Sequence, residues 1–238
     1  SNPMPGEISL AHNGILYLDE LPEFGRQVLE VMRQPLEDHS ISISRAKYAV
    51  EYPASFMLVA SMNPCPCGYY THPTRQCTCA PGAVQRYLNR ISGPLLDRID
   101  IQIEVAPVEF DDMTSTVDAE PSRDIRARVE AAREIQRVRF ANYPEVHCNA
   151  QMNSKLIKRY ATPDEAGLKR LREAIERMGM SARAYDRILK VARTIADLSN
   201  IDKPIEEAVN APILSSHISE AISYRNLDRS SWGTTTLA

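Results

Sequence analysis

The spacing of apolar residues changes character once along this chain, near residues 106–121, and that change limits it to two differently built parts. Before it, short apolar runs alternate with helix-like stretches, the mark of an α/β domain. After it, every recurrence has helical spacing. Between residues 106 and 121 two prolines and five carboxylates crowd together, so a linker is placed at 108–121. The reading is a core over 1–107, a helical domain over 122–228 and a patternless, disordered tail over 229–238.

Within the first part, Ile15-Leu16-Tyr17-Leu18 is an apolar run ending in Asp19-Glu20, which predicts a buried parallel strand. Pro22 then opens a helix whose apolar face is Val28, Leu29, Val31 and Met32, up to a break near Pro35. Ser40 to Ser44 alternates with period two, Arg45-Ala46-Lys47 turns, and Tyr48 to Tyr52 resumes the alternation, a β-hairpin over about 40–53. Phe56 to Ala60 predicts a second buried strand, which stops at Ser61-Met62-Asn63-Pro64. A helix is expected around Val84 to Ile91, and a last strand over Ile99 to Val105. Beyond the linker, Ile125, Val129, Ala132, Ile135 and Val138 recur at helical spacing, as do Leu168, Leu171, Ile175 and Met178. Tyr185, Ile188, Leu189, Ala192 and Ile195 follow, then Leu214, Ile218 and Ala221, which together predict a small helical bundle.

Composition excludes several classes. The 28 basic and 31 acidic residues leave a formal charge of −3, so any nucleic-acid contact must come from a local patch rather than a whole-chain field. No apolar run approaches the roughly 20 residues a membrane helix needs. No basic-then-apolar leader is present, and the chain opens on Ser1, which reads as part of something longer. Four of the five cysteines fall within residues 65–79; without a leader, such a cluster points to a metal site or reduced thiols rather than disulfides.

Adjacent carboxylates at the end of an apolar strand suit nucleoside-triphosphate hydrolysis: one holds magnesium, directly or through water, and its neighbour polarises the attacking water. The bland alternative is a core strand ending in two solvated acids. Asn63 can orient water or a γ-phosphate, or simply form a turn before Pro64. Arg98, in Leu95-Leu96-Asp97-Arg98-Ile99-Asp100, is either an ion-pair residue or an arginine finger offered to a neighbouring subunit's phosphate. Cys65-x-Cys67 and Cys77-x-Cys79 suit a tetrahedral structural zinc, with Gly68 allowing the tight knuckle and His72 available as a substitute ligand; the alternative is a metal-free thiol cluster. Cys148 reads as an incidental thiol. Six arginines between Arg123 and Arg139 face three acids, which reads as a solvated or interfacial helix face.

Taken in order, Gly14 to Glu20, Ala60 to Gly68 and Leu95 to Asp100 resemble the AAA+ ATPases of the magnesium-chelatase-like group, and within it the bacterial competence-associated ComM family, also called YifB-type. The resemblance covers roughly residues 3–228. It implies part of a P-loop NTPase core, a parallel sheet with a β-hairpin insertion, followed by an all-α lid. It also implies Asp19 and Glu20 as the Walker B pair, Asn63 as sensor 1, Arg98 as the trans-acting finger and Arg183 as sensor 2, with Arg187 as rival. The hairpin looks like the presensor-1 β-hairpin, which in related hexameric helicases points into the central pore, and this makes Arg45 and Lys47, near its tip, the candidates for phosphate contact. The implied cofactors are ATP and magnesium. The implied partners are single-stranded or branched DNA and further copies forming a ring, a hexamer, in the bacterial cytoplasm. The output would be helicase-like branch migration during integration of incoming DNA; the rival is a magnesium chelatase subunit driving metal insertion into porphyrin. One departure is large: G-x-x-x-x-G-K-[ST], the Walker A loop, is nowhere in the 238 residues, and only nine glycines exist. The expectation is a C-terminal piece of the motor, unable to turn ATP over by itself.

Overall fold

A computed structural model describes residues 3–45, 48–108, 113–114, 116 and 118–225. Lys47, the side chain of Arg45, part of the linker and the tail over 229–238 lie outside the described residues. The chain divides into two compact units, one running to Ile99 and the other from Asp100. Among the described residues no helix is long and apolar enough to cross a membrane.

The first unit runs α1 (Glu7–Leu10), β1 (Ile15–Leu18), a 3-10 turn (Leu21–Glu23), α2 (Arg26–Val31), α3 (Pro35–Asp38), β2 (Ser40–Arg45), β3 (Tyr48–Pro53), β4 (Met57–Ala60), α4 (Ala83–Leu88) and α5 (Gly93–Leu96). Strands β1 and β4 pair in parallel, from Ile15 opposite Met57 to Leu18 opposite Ala60. Strands β2 and β3 form the antiparallel hairpin, Ser40 opposite Pro53 and Arg45 opposite Tyr48. Leu16, Leu18 and Leu58 face a core of Leu21, Leu29, Met32, Ile91, Leu95 and Leu96. The opposite face is open: Ile15 is 63% exposed, Tyr17 and Met57 58% each. The two strands are therefore covered on one side only, where the sequence predicts full burial, because the apolar surfaces of α2 and α5 meet just one face of the pair.

Two further expectations change. The helix after Pro22 is broken into a 3-10 turn, α2 and α3; Gly25 precedes α2, and Pro35, which lacks an N–H, opens α3 where that donor is not needed. No strand forms over Ile99 to Val105. An alternating segment becomes a strand only where an edge receives it, and among the described residues β1 and β4 pair with each other alone. The Gln102 N–H instead donates to the Tyr224 carbonyl at 2.7 Å, and Ile103 and Val105 are exposed.

The second unit is helical: α6 (Ser122–Arg139), a 3-10 turn (Asn149–Gln151), α7 (Ser154–Tyr160), α8 (Glu165–Met178), α9 (Ala182–Leu198), α10 (Ile205–Val209) and α11 (Ser215–Ser223). Side-chain caps set three starts: Asn153 accepts from Lys155 and Leu156, Asp164 from Gly167, and Ser181 from Ala184. Gly179, at φ 61°, closes α8 in the left-handed conformation that costs glycine least. Leu156, Ile157, Leu171, Ile188, Leu189, Ile213 and Ile218 fill the core.

A polar hub crosses that core. Asp197 is fully buried and accepts from Arg139 Nη1 and Nη2 at 2.7 and 2.6 Å, from Arg193 Nε at 3.0 Å and from Asn149 Nδ2 at 2.8 Å. Arg139 also donates to the Val209 carbonyl, and Arg193 to that of Ala211. One carboxylate thus ties α6 and α9 to the Asn149 turn, while its two arginines reach the segment around α10. Arg139 is buried, which corrects the reading of the whole arginine run as a solvated face.

Replacing Asp197 by Ala leaves two buried guanidiniums without their counter-charge, and a loss of about 3–5 kcal/mol is expected in urea unfolding. A second outcome concerns pH. His217 is buried, its Nδ1 accepting from the Leu214 N–H at 3.1 Å, and burial, then Arg193, pushes its pKa below the usual histidine value. The unfolded chain therefore takes up the proton first, so stability present above about pH 6.5 falls as pH drops toward the folded value. A His217→Gln variant should lose that part of the slope in pH-dependent unfolding.

Candidate functional site

Where β1 and β4 end, their register carries Asp19 alongside Ser61. The backbone ladder continues past the strands: Ser61 N–H donates to Leu18 O at 3.0 Å and Leu21 N–H to Ser61 O at 2.9 Å. The Ser61 hydroxyl donates to Asp19 Oδ1, which also accepts from Glu20 N–H at 3.1 Å and from the Tyr17 hydroxyl at 3.4 Å. Three donors on one oxygen fix the carboxylate's orientation and leave Oδ2 to solvent. Glu20 is exposed and sits at φ 53°, ψ 51°, a left-handed conformation that costs a residue with a Cβ roughly 1–2 kcal/mol. Holding that turn are Leu21 N–H on Ser61 and Glu23 N–H on Glu20 O at 2.7 Å.

Asn63 lies two residues beyond Ser61 on the neighbouring strand end, exposed. Its backbone bonds the buried Tyr87 hydroxyl, whose pKa is raised by burial and by Glu23. Asp19, Glu20 and Asn63 are thus brought to one edge. Ser61, which orients Asp19, escapes sequence reasoning, since only the strand register places it opposite the acid.

Arg98 makes its contacts elsewhere in the unit. It is buried, donates to the Pro94 carbonyl at 2.7 Å and is ion-paired with Glu37 of α3. Both rival arginines on α9 have partners, Arg187 in Asp100 at 2.6 Å; Arg183 lies exposed in the first turn, just past the Ser181 cap.

The cysteines converge. The Sγ atoms of Cys65, Cys67, Cys77 and Cys79 all lie within 4.8 Å of one another, Cys65 and Cys67 at 3.3 Å. Gly68, at φ 81°, makes the turn that brings Cys65 and Cys67 together, with its N–H on Cys65 O at 3.0 Å. Backbone N–H groups of Tyr69 and Thr78 pull the Cys67 thiol down to about 5, while burial pushes Cys79 up to about 12. A divalent cation would override that divergence by drawing all four into the thiolate form. His72 does not join them: its Nδ1 accepts from Thr74 N–H at 3.2 Å and Arg75 N–H at 3.1 Å, which corrects the reading of it as a substitute ligand.

Two family models account for most of the chain: magnesium chelatase, subunit ChlI, over residues 1–113, and the C-terminal part of that subunit over residues 119–225. Competence protein ComM of Haemophilus influenzae is 46% identical over 228 residues, 95% of this chain and 42% of that protein. The uncharacterized protein YifB of Escherichia coli is 42% identical, with the same coverage of both. An uncharacterized Mycobacterium tuberculosis protein is 38% identical over 87% of this chain and 41% of its own length. The chain spans about two fifths of the length of these relatives.

Four thiols within bonding reach predict uptake of one thiophilic divalent ion. Titration with Co²⁺ should give the thiolate-to-metal absorption of a tetrahedral site, saturating at one equivalent, and Cys65→Ser should weaken or abolish it.

Proposed function

The chain belongs to the magnesium-chelatase-like family of AAA+ ATPases, and from that premise we propose that the edge formed by Asp19, Glu20 and Asn63 is the hydrolytic side of its nucleotide site. The observation that carries this reading is the Ser61 bracket, which fixes Asp19 through Oδ1 and leaves Oδ2 and the Glu20 carboxylate open to solvent at adjoining parallel strand ends. Asp19 would hold magnesium, directly or through water; Glu20 would polarise the attacking water; Asn63 would orient it or the γ-phosphate. Magnesium, when bound, supplies the positive charge that offsets the phosphates. Arg98 would act across a subunit interface in a ring, a hexamer, and to do so must leave Glu37. Arg183 would serve from the lid, with Arg187 as its rival. The 238 residues contain no G-x-x-x-x-G-K-[ST], so by themselves they would bind ATP weakly and not turn it over. The cysteine cluster would hold a structural zinc, since four protein ligands leave no open position for chemistry.

The coupled work would be DNA remodelling in the bacterial cytoplasm, helicase-like branch migration on single-stranded or branched DNA, with Arg45 and Lys47 of the hairpin on the phosphate backbone. A relative named as a competence protein is what favours the DNA reading over others. The family description itself supports the second reading, an ATPase subunit driving magnesium into a porphyrin.

The test is ATP hydrolysis by the full-length protein with and without branched DNA, beside Glu20→Gln. The expected result is DNA-stimulated hydrolysis that falls at least a hundredfold in the variant. Stimulation by porphyrin and partner subunits rather than DNA would favour the chelatase reading, and hydrolysis unchanged by Glu20→Gln would sink the assignment of this edge.

A further inference from the structure

The loop between the two cysteine pairs is more ordered than a spacer needs to be. His72 Nδ1 accepts from the backbone N–H groups of Thr74 and Arg75, so its remaining hydrogen is on Nε2, a donor. The imidazole meets the Tyr69 ring edge-on, with centroids 5.7 Å apart and planes at 74°. Arg75 is exposed; its guanidinium carbon lies 5.3 Å from the centroid of the Tyr69 ring and its Nη1 donates to the Tyr69 hydroxyl at 2.9 Å. Tyr69, His72 and Arg75 therefore form one preset group. Its guanidinium is held by an aromatic ring rather than a carboxylate, and among the described residues Nη2 and Nε make no bond.

The sequence around the group points the same way. From Tyr52 to Leu96 the chain contains no Asp or Glu, although 31 are spread over the whole sequence. The exposed arginines on α6 for which bonds are described, Arg123, Arg128 and Arg137, are each paired with a nearby acid. A guanidinium fork beside an imidazole N–H, with no neighbouring acid in the sequence, is complementary to a phosphodiester, and a strand of nucleic acid presents such groups in series.

We propose that the loop over residues 68–76 is a second nucleic-acid contact, with Arg75 and His72 Nε2 donating to the phosphate backbone and Tyr69 positioning Arg75. It rests on the DNA reading above and extends it to a surface outside the hairpin. A metal-loaded tetrathiolate is itself net negative, so attraction here must come from these fixed donors. Removing Arg75 should therefore cost most of the loop's contribution.

The experiment measures fluorescence anisotropy of a labelled single-stranded oligothymidylate with the full-length protein over a salt series, comparing wild type, Arg75→Ala, Arg75→Lys, Tyr69→Phe and the hairpin variant Lys47→Ala. Arg75→Ala should weaken binding about 5- to 20-fold and lower the log–log salt slope by about 0.7, one phosphate contact on a single strand, with metal content and DNA-independent ATP hydrolysis unchanged. Arg75→Lys should restore the slope while recovering only part of the affinity, because an ammonium cannot stack and fork as a guanidinium does. Tyr69→Phe should fall between wild type and Arg75→Ala. If wild type binds and Arg75→Ala binds equally well with an unchanged slope, the loop proposal fails and the DNA reading stands. If wild type itself does not bind, the DNA reading fails and takes this proposal with it. Loss of metal in Arg75→Ala, with binding lost only in proportion, would assign the group to holding the knuckle together and overturn the contact.

Discussion

The Asp19 edge of the first unit hangs on four residues of β1 laid parallel to four of β4. A pair this short has little strength of its own. It holds because Leu16, Leu18 and Leu58 are driven into the core formed with α2 and α5, and because the ladder is extended at both ends. At one end Asn13 donates to Ser55 and Met57 to Gly14; at the other Ser61 donates to Leu18 and Leu21 to Ser61. A slip of one residue would turn the leucines to solvent and the open face inward, so burial forbids it. Hydrophobic burial thereby sets the position of Asp19 against Ser61, and a polar arrangement inherits its accuracy from apolar packing.

The second unit is organised by the opposite kind of force. Its helices meet through ordinary apolar contacts, yet their mutual placement is specified by a buried carboxylate that can be satisfied in only one arrangement of two guanidiniums and an amide. Helices α8, α9 and α11 were legible because their apolar residues recur at helical spacing. The hub was not. Arg139 sits in a run of arginines that share its composition, and the acid that buries it is 58 residues away in sequence. Charge runs read locally report solvation; only the fold decides which member turns inward.

The same division holds in the first unit. The strands, the hairpin and the convergence of four cysteines follow from period, turn residues and spacing. The Ile99 to Val105 alternation misleads because periodicity describes a strand's faces and says nothing about whether an edge is available to it. His72 misleads because ligand type was legible but ring orientation was not: two backbone amides claim Nδ1 and leave the hydrogen on Nε2, so neither nitrogen offers a lone pair to a metal. For Arg98 the structure supplies the ion pair that the sequence offered as one reading, with Glu37 as the partner.

Glu20 carries a consequence of a different sort. Its backbone occupies the region where a chain free to choose would install glycine, or asparagine at lesser relief. Anyone hardening this protein against heat, guided by backbone preference alone, would begin by replacing the residue proposed to polarise the attacking water. Robustness and turnover would then compete at a single position, and the survival of a glutamate there would record which of the two the protein was selected for.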